Sequence, residues 1–174
     1  MTITTNNRTY PIDTIGEIVT NQLRVSIEDG ELYDSAVRCT KNAIDAAEDY
    51  TNRVICRSEV IVDGTVEPGR RVDLMIPCLR VDTIKVDDTE IDSSAYVVSS
   101  NVKTSSLEFL TTYTEGHPLS IEGTGGYEDG EIPGGIYQAV AIIASSFFER
   151  GAEAEMPNAA KSLLNPYRIY PYEL

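Results

Sequence analysis

Residues 133–150 read PGGIYQAVAIIASSFFER and form the longest stretch of the chain that is apolar on nearly every side. Ile136, Val140, Ile143 and Phe147 recur at the spacing of one helical stripe. Tyr137, Ala141, Ala144 and Phe148 repeat it one residue later, so two adjacent faces are apolar. A helix of this kind has to be packed against from several directions rather than lie on a surface. Pro133 suits a first helical turn, where its missing N–H would be unpaired in any case. Asp129 and Glu131 precede the positive end of the helix dipole, and Gly151 provides a stop. Gln138, Ser145 and Ser146 interrupt the run, which is shorter than the roughly 20 apolar residues that span a bilayer.

The rest of the 174 residues carries a formal net charge of −14. Such a balance opposes binding to nucleic acid phosphates, which needs a basic face, and opposes anionic membranes. The charge is uneven: between Thr104 and Glu149 there is no Lys or Arg, yet Glu108, Glu115, Glu122, Glu128, Asp129, Glu131 and Glu149 all fall there. A solvated acidic face accounts for this, and so does a wall past which a polyanion must slide without sticking. Cys39, Cys56 and Cys78 are odd in number and widely spaced, which argues for a reducing compartment and against a disulfide framework or structural zinc. The opening MTITTNNRTYP lacks a basic segment followed by an apolar run, so no secretory signal is expected there.

Taken in order, Thr14-Ile-Gly-Glu17 has capping-box form and predicts a first helix over about 14–23. Ser26-Ile-Glu-Asp29 repeats the signal and predicts a second over about 28–51, with Leu32, Ala36, Cys39, Ala43, Ala46 or Ala47, and Tyr50 inward. The period then changes. Short β-branched runs near 59–62, 71–76, 81–86, 95–98, 107–110 and 119–123 are separated by Asp63-Gly64, Pro68-Gly69, Asp87-Asp88 and Ser99-Ser100-Asn101. The run over 81–86 slips phase, which predicts a bulge or kink. Two further helices, about 133–150 and 158–164, follow. The fold class expected is therefore α+β: a small bundle of about four helices with an antiparallel β unit inserted over about 54–127. The domain spans about 11–168, and 169–174 is an extended tail whose aromatic side chains need a surface to lie on.

Chemistry is sparse. His117 is the only histidine and lies between two predicted strands without a neighbouring nucleophile in strand–elbow–helix context, so a turn residue is expected. The acids of 87–92 lack the glycine and terminal glutamate of a calcium loop. Gly123-Thr-Gly-Gly126 before the central helix has no lysine and is ringed by acids, so it should shape a turn rather than hold phosphate. Arg70, Arg71 and Arg80 form a small basic group, either solvated or paired with an acidic neighbouring subunit. No catalytic, metal or cofactor site is expected.

Several stretches in order resemble the head–tail connector (adaptor) proteins of tailed bacteriophages. They are AIDAAEDYTNR over 43–53; Ile76-Pro77 with LRVDTIKV over 79–86 and Tyr96-Val97-Val98; Gly125-Gly126-Tyr127 with Ile132-Pro133; Gln138-Ala139-Val140 through Phe148-Glu149-Arg150; and AKSLLNPYR over 160–168. The resemblance implies a non-enzymatic virion component, made in the host bacterial cytoplasm. It implies a ring of identical copies, a dodecamer in the virion, sitting beneath the portal protein in the neck. The ring would contact the next neck or tail-completion protein and pass DNA only as cargo. On this reading Tyr167, Arg168, Ile169, Tyr170 and Tyr172 form a partner-docking tail. Glu122, Glu128, Asp129 and Glu131 would then face the channel. The alternative class is a small acidic cytosolic protein-binding module; an enzyme using carboxylates such as Glu122 and Asp129 ranks last.

Overall fold

The computed structural model describes residues 2–66, 71–74, 76–101, 104–111, 113, 116–151 and 154–169. Backbone contacts divide the chain into a β unit, within Met1–Thr9 and Cys56–Tyr127, and a helical unit, within Tyr10–Ile55 and Glu128–Glu173.

In the helical unit, α1 (Ile12–Glu17) runs into a π turn, Ile18–Gln22, where the Leu23 N–H reaches the Ile18 carbonyl at 3.0 Å. The capping box expected at Thr14 is not formed. The helix begins earlier, with Pro11 at its cap and Ile15 N–H bonded to the Pro11 carbonyl, so Thr14 already lies inside the first turn. The second box does form: Ser26 N–H donates to Asp29 Oδ2 at 2.8 Å, and Glu28 N–H donates to Ser26 Oγ at 3.3 Å. It caps only a 3₁₀ turn, Ile27–Asp29, because Gly30 at φ 51° breaks the right-handed path. α2 (Glu31–Thr51) starts after that break and ends at Asn52 in the left-handed conformation.

The buried face of α2 carries Ala36, Thr40, Ala43, Ile44, Ala47 and Thr51. Leu32, expected inside, is 49% exposed, and Cys39 and Tyr50 are half-buried. Two threonines take inward positions because their hydroxyls bond back to the carbonyls of Ala36 and Ala47, at 2.9 and 2.7 Å, leaving methyl groups to pack. α3 (Gly134–Arg150) packs on α2, and α4 (Asn158–Leu164) packs on both. Ile136, Val140, Ile143 and Phe147 are all buried, as the stripe predicts. Alanines 36, 43 and 47 on α2 and 139, 141 and 144 on α3 are buried too, and small side chains allow close helix approach. Gly151, at φ 95°, ends α3 with its N–H on the Phe147 carbonyl.

The β unit holds a five-stranded antiparallel sheet in the order β1 (Thr2–Thr9), β2 (Arg57–Thr65), β8 (Pro118–Gly125), β4 (Arg80–Val86), β5 (Thr89–Glu90). A second sheet has the order β3 (Arg71–Leu74), β7 (Ser105–Phe109), β6 (Tyr96–Ser100). The unit is thus not purely an insertion, since β1 precedes the helices. Asp63-Gly64 is no turn: β2 continues through it, with Gly64 paired to Leu119 and Thr65 to Pro118 of β8. Asp87-Asp88 is a turn, with both residues at positive φ (51° and 59°), as a tight hairpin requires. The expected phase slip is a bulge between Val81 and Thr83.

The glycines expected to form a turn instead make room inside β8 and just beyond it. A Cβ on Gly123 would sit 2.3 Å from the Arg80 carbonyl oxygen at the bulge, and one on Gly125 would sit 2.3 Å from Ile76 Cγ2. Gly126, at φ 94°, would place a Cβ 2.2 Å from the Cys56 carbonyl oxygen. Ile76 itself is fully buried, and its carbonyl accepts the Ser105 hydroxyl of β7 at 2.7 Å. Gly126→Ala combines a backbone clash with a disfavoured φ and should cost about 1–3 kcal/mol or more. A lowered urea midpoint with unchanged slope checks this, and Gly130→Ala, where the added methyl meets open space, gives the comparison for φ alone.

Candidate functional site

The four acids proposed from the sequence are divided between the two units. Glu122 belongs to the β unit, on the face of β8 opposite the buried Leu119 and Ile121, and its Oε1 lies 2.7 Å from Lys85 Nζ on β4. That hydrogen bond, then the Glu122 charge, raises the Lys85 pKa. Both side chains are more than a third exposed, so water and salt screen the pair. Glu128, Asp129 and Glu131 belong to the helical unit, in the exposed turn before α3.

Asp129 has a local structural role. Its carboxylate accepts the Asp13 N–H at 2.7 Å, the Thr14 N–H at 3.1 Å and the Thr14 hydroxyl at 2.9 Å. Those two backbone donors are orphans of the first turn of α1, so Asp129 caps that helix from 115 and 116 residues away in sequence. Partial burial pulls its pKa upward, but the hydrogen bonds from Asp13, Thr14 and Gly130 outweigh it and hold the carboxyl below its ordinary range. A depressed carboxylate contributes stability that is fully present above its unfolded pKa, about 3.9, and is lost as pH falls through the lower folded value. Asp129→Ala should therefore cost about 1 kcal/mol at neutral pH. The wild type–variant difference should vanish toward low pH, as read by denaturant titration across pH 2–7.

The C-terminal residues proposed for docking divide as well. Tyr167 closes a 3₁₀ turn, Asn165–Tyr167, rather than lying extended. Its ring lies 3.1 Å from where a Gly135 Cβ would be, and its carbonyl accepts from the Arg53 guanidinium. The Arg168 guanidinium stacks over the Tyr50 ring at 4.8 Å. Ile169 is 6% exposed; its N–H donates to the Thr51 carbonyl at 2.9 Å, and its carbonyl accepts from Asn52 Nδ2 at 3.0 Å. These three residues pack at the end of α2, so the surface they need is supplied within the helical unit itself. The Tyr50–Thr51–Asn52–Arg53 run is thus matched to the Tyr167–Ile169 run. Tyr170 and Tyr172 lie outside the described residues. Ile169→Ala should lower stability by about 2 kcal/mol, so deletion of 167–174 should reduce the thermal midpoint measured by circular dichroism rather than leave folding intact.

His117 sits just before β8, half-exposed, with Nδ1 against Asp87 Oδ2 of the β4–β5 turn. This is a turn contact. Among the described residues no group of three or more His, Cys, Asp or Glu side chains could hold a metal ion, and no helix is long and apolar enough to cross a membrane. A groove of about 270 Å³ along α3 is lined by Gln22, Tyr137, Gln138, Ala141, Ile142 and Ser145. Burial, then the Glu17 charge, raises the Tyr137 pKa, so its hydroxyl stays neutral. These lining residues contain no acid–base pair.

The sheet edges show a sharper asymmetry. In the five-stranded sheet, the edge at β4–β5 carries Arg80, Asp82, Lys85 and Glu90, a bulge, and a last strand of two residues. The opposite edge, β1, carries no charge from Thr2 to Asn7, and Thr2–Asn7 are all exposed. In the three-stranded sheet, the β3 edge carries Arg71 and Asp73, bonded to each other at 2.8 Å, whereas β6, Tyr96–Ser100, has no charge. Sequence patterning missed β1: Thr-Ile-Thr-Thr is rich in β-branched residues, but without apolar alternation it carries no burial signal.

No protein-family model matches the sequence, and no similarity to a curated protein is found. Solved structures are similar along almost the whole chain. A chain in the virion of a native gene transfer agent (GTA) particle superposes with a TM-score of 0.75 at 17% identity, covering 98% of this chain and 96% of that one. A chain in the neck of an empty GTA particle, computed with C6 symmetry, gives 0.72 at 20% identity with the same coverage. One in the neck of a native GTA particle, computed with C12 symmetry, gives 0.68 at 17% identity, again with 98% and 96% covered. At these identities the likeness shows a shared fold, which among the described residues of this chain comprises two antiparallel sheets and four α-helices.

Proposed function

We propose that this chain is a structural neck protein of a phage-like particle, catalysing no reaction and acting as one copy of a closed ring that joins head to tail. The observation that carries this is whole-length likeness in fold to chains of GTA particles, two of them from necks computed with C6 and C12 symmetry. The order of sequence stretches shared with head–tail connectors supports the same reading. In this role the ring docks under the portal protein, continues its channel and offers a landing surface to the next neck or tail-completion protein. The protein would be made in the bacterial cytoplasm and end in the virion neck.

The net charge of −14 suits a conduit that must not hold DNA. Glu122, Glu128, Asp129 and Glu131 are proposed to face that passage; Glu122 contributes least, because Lys85 offsets its charge. Docking is assigned to the C-terminal residues. Arg168 and Tyr167, held against α2 and α3, would present a fixed surface, and Tyr170 and Tyr172, proposed with them, lie outside the described residues.

The test is to mix purified protein with its portal ring and measure mass and image the product. The expected outcome is a stacked ring whose subunit number matches the portal symmetry. A protein that stays monomeric at every concentration and ignores the portal would instead fit the acidic binding-module alternative and end the neck reading.

A further inference from the structure

We infer that neighbouring copies are joined by strand addition, β1 of one copy pairing with β6 of the next, so that the ring is held by a head-to-tail β contact. The inference rests on the ring reading and specifies which surfaces close it. A sheet edge presents a row of unpaired N–H and C=O groups, and proteins ordinarily blunt such edges with charges, bulges or short strands. Each sheet of this unit has one edge treated in that way, at β4–β5 and at β3; on the other edges, the Thr2–Asn6 run of β1 and all of β6 carry neither charge nor bulge. β1 pairs with β2 on one side and β6 with β7 on one side, and no described strand covers the other side of either.

The two open edges match. Thr2–Asn6 is a run of five residues in unbroken register with β2, ended by the irregularity between Asn6 and Thr9, where Asn7 has φ 46°. Tyr96–Ser100 is a run of five in unbroken register with β7. Neither contains a charge that would have to be desolvated. Centred on each other, the two runs place Thr4 beside Val98 whichever way the strands point. The parallel arrangement also sets Ile3 against Val97, two of the exposed large apolar side chains (41% and 48%). Because the edges are different strands of one chain, the contact is heterologous: each copy offers β1 on one side and β6 on the other, and the series closes only by rotation. An isologous β1–β1 pair would stop at a dimer.

Cross-linking tests this directly. Thr4→Cys and Val98→Cys proteins, each retaining the three native cysteines, are oxidised separately, as a mixture, and as the double variant, with portal present. The expected result is disulfide dimers from the mixture, a ladder ending in a closed species from the double variant, and neither from a single variant alone. Thr4→Lys, an exposed change that leaves the unit folded by circular dichroism, should weaken self-association by about tenfold or more. Self-linking by Thr4→Cys alone overturns the inference. So does a Thr4→Lys protein that forms rings as readily as wild type, while leaving the ring reading intact. Wild type that never assembles overturns both.

Discussion

The β unit depends on backbone approaching backbone where β8 has no side chains to keep neighbours away. At Gly123 the Arg80 carbonyl of β4 lies within the space a Cβ would need, and at Gly126, just past β8, the Cys56 carbonyl does the same. At Gly125 the space is taken by Ile76, whose carbonyl also accepts the Ser105 hydroxyl of the second sheet. One buried isoleucine thus touches β8 with its side chain and β7 with its backbone. Close packing of this kind tolerates little change in volume. β8 is the strand between β2 and β4, so any change there is transmitted to both neighbours.

The helical unit solves a different problem. Its apolar supply is concentrated in α3, and α2 meets it with alanines and with threonines whose hydroxyls are bonded internally. Elements distant in sequence then supply each other's missing hydrogen bonds. Asp129 takes the N-terminal donors of α1, while Thr51 and Asn52 at the end of α2 bond the backbone of Ile169. These contacts use polar side chains and free carbonyls at helix ends, where intrahelical partners are lacking. Residues that looked functional because they were acidic or aromatic prove, in part, to be the ties that hold helix termini.

The ring role proposed for this chain calls for a rigid body with unfinished surfaces. The pattern of finished and unfinished edges fits that demand: charges and a bulge protect two edges, and two uncharged five-residue edges are left open. Acidic charge spread over both units adds repulsion toward DNA and toward non-specific contacts. The histidine singled out in the sequence, His117, makes a turn contact with Asp87.

Periodicity alone determined the α3 stripe of Ile136, Val140, Ile143 and Phe147, the helical end at Gly151, the strand-rich middle, the bulge near Val81 and the Asp87-Asp88 hairpin, because these depend on neighbours a few residues apart. Tertiary structure alone decided what the remaining signals meant. Thr14 lost its capping role to Asp129, and Leu32 was left exposed while Thr40 and Thr51 went inside. The glycines of 123–126 served packing rather than a turn, Tyr167–Ile169 folded back on α2, and β1 joined a sheet whose other strands begin at residue 57. In each case the deciding partner lies far along the chain. A hydroxyl, a glycine or a polar strand has no preferred partner of its own, so its use is set by whichever group the fold brings within reach.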